Sequence, residues 1–145
     1  MINLVINEDE SLDRIYRYLV DVNKDFTPPL SKRVDVKRYA QKLSLSAINL
    51  FVSLDGNDVA HAAFYANDRV KSQSFLTSIS VKREVRGQGI GNALMKEVIL
   101  RVKLAGMKKI FLEVDSSNMN AVQLYMKMGF RFLDDSDSFM VFLLE

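Results

Sequence analysis

The run Arg86-Gly87-Gln88-Gly89-Ile90-Gly91 constrains this chain more than any other stretch. It follows a strand-like segment, Phe75-Leu76-Thr77-Ser78-Ile79-Ser80-Val81, and opens directly into an amphipathic helix. That helix, Gly89 to about Ala105, carries Ile90, Ala93, Leu94, Val98, Val102 and Ala105 on one face, with Gly106 placed to cap its end. Glycines at 87, 89 and 91 remove side chains where the backbone turns, so that successive amide N–H groups can converge on one point. The helix start adds free N–H groups and the positive end of its dipole. Such a turn is a seat for a phosphate or pyrophosphate. A Walker P-loop would need Lys-Ser or Lys-Thr after the last glycine, but Asn92-Ala93 follows. A dinucleotide-binding turn, G-x-G-x-x-G, would need its third glycine where Asn92 stands. A plain helix-capping turn remains the competing reading of the hexapeptide alone.

Length and composition narrow the class. At 145 residues the chain reads as one domain, 1–145, large enough to bury a core without disulfide or metal staples. It has no cysteine, which excludes a disulfide framework, a thiolate metal site and a covalent acyl-cysteine intermediate, and no metal site is predicted. The segment Met1 to Glu10 lacks a basic start and turns acidic after a few apolar residues, so it does not resemble a signal peptide. No apolar run approaches the ~20 residues of a membrane span. The expected compartment is the cytoplasm. A net charge of +2 without a basic, aromatic-interleaved stripe argues against nucleic acid as a partner.

Periodicity places the other elements. Asn3 to Ile6 reads as a first strand, and Glu10 to Asn23 as a helix with Ser11 or Asp9 near its cap. Thr27-Pro28-Pro29-Leu30-Ser31 breaks it, and a second helix is predicted from Val34 to Leu43. Ile48 to Leu54 and Val59 to Tyr65 form two strands around the hairpin signal Asp55-Gly56-Asn57. Asn67 to Lys71 is a turn, Lys109 to Val114 a buried strand and Phe139 to Leu144 a last strand. The order is that of an α/β fold with a mixed sheet.

The C-terminal third adds a second pattern. Val114-Asp115-Ser116-Ser117-Asn118-Met119-Asn120-Ala121-Val122-Gln123-Leu124-Tyr125-Met126-Lys127-Met128-Gly129-Phe130 reads as a strand end, a polar loop, a short helix and a strand restarted after a glycine. R-x-x-G-x-G at a helix start, followed by N-x-x-A-x-x-L-Y-x-x-x-G-F, closely resembles the GNAT superfamily of N-acetyltransferases. The resemblance is specific from about Phe75 to Phe130. It implies a GNAT-like mixed sheet of about six to seven strands flanked by about four helices, and an acetyl-CoA-dependent N-acetyltransferase acting by direct attack in a ternary complex.

Residue by residue, the resemblance puts the pyrophosphate of acetyl-CoA on the backbone N–H groups of Arg86, Gly87, Gln88, Gly89, Ile90, Gly91 and Asn92. It puts the pantetheine arm on the backbone edge of Ile79 and Val81, where the fourth and fifth strands of such proteins splay apart. Asn118 would hydrogen-bond that arm, with an N-cap role as its rival. Tyr125 would be the acid that protonates the leaving thiolate, and would also line the cofactor site. Lys127 is a further candidate for the cofactor's 3′-phosphate. Many relatives carry a glutamate base on the fourth strand; Thr77 occupies that place here. His61, the single histidine, is the candidate base that titrates near neutrality, with a water relay or a packing role as alternatives.

The acceptor is expected at Phe26-Thr27-Pro28-Pro29-Leu30-Ser31-Lys32-Arg33, where Lys32 and Arg33 either form a basic solvated turn before a helix, the favoured reading, or meet an anionic amine such as a phosphorylated sugar amine or nucleotide sugar. The partner is a small-molecule amine, and the protein a monomer or homodimer. Two other classes stay open: a non-catalytic acyl-CoA-binding protein of the same fold, and a nucleotide-binding module reading only the glycine turn.

Overall fold

The computed structural model describes residues 4–144. Its elements are β1 (Leu4–Glu8), α1 (Leu12–Val22), α2 (Val36–Ser46), β2 (Ile48–Leu54), β3 (Asn57–Asp68), β4 (Gln73–Val81), α3 (Ile90–Leu104), β5 (Lys109–Glu113), α4 (Met119–Lys127), β6 (Arg131–Phe132) and β7 (Phe139–Leu143). They build one seven-stranded sheet in the order β1-β2-β3-β4-β5-β7-β6. Only β4 and β5 run parallel, with α3 carrying the chain back across the sheet between them; every other pair of neighbours is antiparallel. The seven strands and four helices are the GNAT-like arrangement expected from the sequence.

Boundaries moved where a side chain decided them. Ser11 caps α1 by accepting the Arg14 amide, so Glu10 lies outside the helix. Asp35 caps α2 through the Arg38 amide at 3.0 Å, which starts that helix at Val36 rather than Val34. β3 runs on to Asp68, past the expected end at Tyr65, because Asp68 pairs with Gln73 across a short hairpin. β1 extends to Glu8; the predicted start at Asn3 lies outside the described residues. At the first hairpin, Asp55 and Gly56 both take positive φ (50° and 84°), the turn whose twist matches paired strands.

Both faces of the sheet centre are covered. Val59 to Phe64 is an unbroken buried run, which explains why β3 does not alternate apolar with polar. On one face Leu50, Val52 and Phe64 pack with Leu94, Met95 and Val98 of α3 and Val122 of α4. On the other, Phe51 and Ala63 pack with Ile15, Leu19, Ala40 and Leu43 of α1 and α2. Arg14 locks α1 to the strands: its guanidinium bonds both oxygens of Asp58 (2.8 and 2.6 Å), bonds Asp9 (3.0 Å) and lies 4.2 Å from the centre of the Phe51 ring. No helix among the described residues is long and apolar enough to cross a membrane.

Candidate active site

The site begins where two strands part. Pairing between β4 and β5 ends at Leu76 and Leu112, yet β4 continues to Val81. Against β3, Ala63 pairs with Ser78 and Phe64 with Leu76, so Thr77 is an extra residue bulged out of β4. A bulge bends its strand and increases the local twist, which turns the end of β4 away from β5. The Lys82 amide bonds the Val59 carbonyl at 2.8 Å. Peptide groups alternate in direction along a strand, so those of Ile79 and Val81 point the other way, to the open edge. The two residues expected on that edge are on it. The Tyr39 hydroxyl holds the bulge from below, 2.7 Å from Thr77 Oγ1 and 3.2 Å from the Thr77 carbonyl oxygen.

Past Val81 a short turn, Arg83–Val85, buries Val85 and delivers the chain to the glycines. Gly87 and Gly89 take φ of 80° and 79°, a left-handed backbone that favours glycine, and a Cβ at either would meet open space. Among the described residues, no protein acceptor receives the amides of Gly87, Gln88, Gly89, Ile90, Gly91 or Asn92; the first helical bond is Ala93 N–H to the Gly89 carbonyl at 3.0 Å. Six consecutive unpartnered donors thus lie at the positive end of a 15-residue helix, an arrangement suited to an anion. Ile90 offers only its amide, since its side chain is in the core. Arg86 differs from expectation. Its amide donates to the Arg83 carbonyl (3.2 Å) and its Nε to the Val81 carbonyl (2.9 Å), so it shapes the turn rather than offering a free donor.

On α4, Asn118 uses its side-chain oxygen as the N-cap, accepting the Ala121 amide at 3.3 Å. Of the two roles weighed from sequence, capping occupies that oxygen and leaves only the amide NH₂ for a ligand. Tyr125 is half-buried with its ring tilted 60° against Phe130, and its hydroxyl has no hydrogen-bond partner among the described residues. Burial pushes the phenol up to about 12, so it stays a neutral proton donor throughout the physiological range. Tyr125, Ile79 and Val81 all sit on the margin of the same core cluster. Gly129, with φ 109°, follows α4 because a Cβ there would come within 2.9 Å of the Phe142 ring.

A cleft of about 570 Å³ opens at the end of the splay. The loop after α1 (Thr27, Pro28, Leu30, Arg33), Tyr39 and Thr77 form one side. Glu113 and Asp115 at the end of β5, and Asp137 in the loop before β7, form the other. These carboxylates went unread in the sequence. A signal existed for two of them, since Glu113 and Asp115 stand two apart at a strand end and so share a face. Asp137 gave none, because its loop is far along the chain and only the pairing of β5 with β7 brings it near. Lys32 is not on the wall, and Arg33 faces three carboxylates, so the expected basic reception for an anionic acceptor is not what the cleft presents.

His61 lies away from all of this. It is fully buried between Phe51 and Tyr18, with ring centres 4.7 and 5.6 Å away, and its Nε2 is 3.0 Å from Asn49 Oδ1. Desolvation pushes its pKa down to about 3, and no face of the ring reaches the cleft. The placement is that of a packing residue rather than a base. It also sets an expectation for stability. Between pH 6.5, the ordinary histidine value, and about 3, the unfolded chain binds a proton that the folded chain refuses. His61 therefore leaves stability intact above pH 6.5 and lowers it as pH falls, by about 1.4 kcal/mol per unit, or roughly 2 kcal/mol at pH 5. Glu10, pushed up to about 7 by burial and then by Glu8, has the opposite slope, so the measurement is a difference. Denaturant melts of the parent and His61→Gln at pH 7 and 5 should diverge by about 2 kcal/mol. Parallel slopes would show that His61 gains its proton without unfolding.

The acetyltransferase (GNAT) family profile matches residues 13–130, most of the chain and both glycine and tyrosine motifs. The chain belongs to this family. It is 35% identical over 69 residues to the ribosomal protein bS18-alanine N-acetyltransferase of Escherichia coli K12, a segment covering 48% of this chain and 47% of that one. The chain thus spans about half the length of that curated relative. It is 28% identical over 122 residues to N-alpha-acetyltransferase 30 of Schizosaccharomyces pombe, covering 79% of each. Among solved structures, a GNAT family acetyltransferase from Elizabethkingia anophelis with acetyl-CoA bound superposes with a TM-score of 0.76 at 19% identity, covering 98% of this chain and 99% of that one. The likeness to that structure concerns the fold.

Proposed function

We propose that this GNAT protein transfers the acetyl group of acetyl-CoA directly to a primary amine, both substrates being bound at once. The observation that carries the reading is the row of six unpartnered amides from Gly87 to Asn92 beside the open edge of β4. A pyrophosphate on the amides and an extended, amide-bearing arm along the strand edge satisfy both sets of donors with one molecule. Acetyl-CoA has that shape, and several relatives are named N-acetyltransferases.

The chemistry follows from the groups at the splay. The acceptor amine, ordinarily protonated at neutral pH, loses a proton to a cleft carboxylate, Glu113 or Asp137, directly or through water. Neither carboxylate has an ion-pair partner among the described residues. The free amine adds to the thioester carbon, and a strand-edge N–H at Ile79 or Val81 stabilises the oxygen that gains charge. Collapse of the adduct forms the amide, breaks the carbon–sulfur bond and expels a thiolate, which takes a proton from the Tyr125 hydroxyl, while the second proton of the attacking nitrogen leaves through water and restores the phenol. With no cysteine in the chain, no acyl-cysteine precedes transfer.

Thermal unfolding with added acetyl-CoA tests the binding half: about 2.7 kcal/mol of stabilisation is expected at a hundredfold excess over Kd. ATP and NAD should give none. Release of free CoA thiol on adding an amine tests the transfer half. Binding without release for any amine would favour the non-catalytic reading, and equal stabilisation by ATP the nucleotide-binding one.

A further inference from the structure

We propose, building on the transferase reading, that the acceptor is a flexible aliphatic polycation, a diamine or longer polyamine. Its reacting amine enters the acidic cleft and its distal ammonium lodges in the aromatic pocket next door.

The cleft sets the sign of the near end. Three carboxylates, Glu113, Asp115 and Asp137, face a single guanidinium, Arg33. Among the described residues none of the three carboxylates is in an ion pair, so their field is directed at whatever enters. Asp115 is held ionised by the Ser117 hydroxyl and amide, at 2.7 and 2.9 Å. Arg33 is partly diverted, its guanidinium 5.9 Å from the centre of the Phe26 ring. An anionic acceptor would be repelled here, and a monocation would engage only this end.

The far end is set by a second cavity of about 270 Å³ that shares Phe75 with the cleft. Tyr65, Phe75 and Phe111 are register partners across three neighbouring strands, so they form one aromatic row, and Phe139 closes it. Helices α1 and α2 pack over β2 and β3 and meet this row at Tyr65, while Phe75 and Phe111 belong to neither buried cluster. The Tyr65 hydroxyl is buried on the wall without a hydrogen-bond partner among the described residues, and Asp68 adds a carboxylate. Aromatic faces beside a carboxylate hold ammonium groups, while the rings cover the methylenes between them. Lys42 Nζ already lies 5.7 Å from the centre of the Tyr65 ring, a cation drawn to this wall by the chain itself. The two cavities together make a track that is acidic, then aromatic, then acidic. An alkyl chain bearing an ammonium at each end complements it.

The test compares three amines of equal chain length by CoA release: hexamethylenediamine, hexylamine and aminocaproate. The diamine should exceed hexylamine in kcat/KM by about tenfold, corresponding to roughly 1.4 kcal/mol. Aminocaproate should fall about tenfold below hexylamine, and raising salt should narrow both gaps. Asp137→Asn and Phe75→Ala, confirmed folded by their melts, should each compress the diamine-to-hexylamine ratio. Aminocaproate or a neutral peptide N-terminus matching the diamine would overturn the proposal, as would a ratio near one. If no amine is turned over, calorimetric titration of hexamethylenediamine into CoA-saturated protein decides. Binding that Asp137→Asn abolishes would uphold the cation track and overturn transfer, whereas no binding would overturn the track. Stabilisation by acetyl-CoA, read separately, reports on the cofactor seat alone.

Discussion

Tyr125→Phe should lower turnover about 10²–10⁴-fold while leaving acetyl-CoA binding nearly unchanged. The substitution removes one hydroxyl that bonds to nothing among the described residues, and keeps the ring packed on Phe130. Folding should therefore be insensitive to it. What is lost is the proton that neutralises the departing thiolate, whose conjugate acid has a pKa near 8.5. Because burial holds the phenol at about 12, the parent should keep its acid through any accessible basic pH, and no loss of activity below that value should trace to Tyr125. Single-turnover kinetics with bound acetyl-CoA check the prediction, since they isolate chemistry from product release. An unchanged single-turnover rate would remove Tyr125 from the mechanism.

Gly89→Asp should cost at least a hundredfold in affinity for acetyl-CoA and only about 1 kcal/mol in stability. Gly89 has φ 79°, a conformation asparagine and aspartate tolerate better than other side chains, and a Cβ there meets nothing within 4 Å. The protein should fold. The new carboxylate would stand at the head of α3, among the amides meant for pyrophosphate. Like charges about 5 Å apart repel by roughly 3 kcal/mol at an effective dielectric near 20, which is about two decades in Kd. Gly91→Asp should act in the same direction, although its Cβ would also touch Val81 Cγ2 at 3.4 Å. Equilibrium titration of folded Gly89→Asp with CoA decides; parental affinity would mean the pyrophosphate sits elsewhere.

The glycine turn, the short helix ending in Leu124-Tyr125 and the edge residues Ile79 and Val81 were legible because their chemistry is local. A left-handed turn needs glycine, a helix start frees amides, and both needs are written in consecutive residues. Arg86 was half legible: its place in the turn was clear, but the Arg83 and Val81 carbonyls that claim its donors depend on how the turn closes. Asn118 shows the same limit, since a side chain able to cap a helix or bind a ligand is assigned only when the geometry of the cap is known.

His61 and the acceptor cleft were not legible, for a different reason. Alternation along β3 placed His61 on a face, but whether that face is solvent or core depends on α1, whose Tyr18 covers it from more than 40 residues upstream. The cleft's charge is likewise a sum over loops far apart in sequence. Arg33, Glu113 and Asp137 share one cavity only because β5 pairs between β4 and β7. Residue order along the chain therefore specified the fold class and the glycine turn with its row of free amides, where each requirement is met within one turn of backbone. Burial and net field are properties of everything that surrounds a group. They placed the lone histidine in the core and gathered Glu113, Asp115 and Asp137 around Arg33 in one acidic cleft.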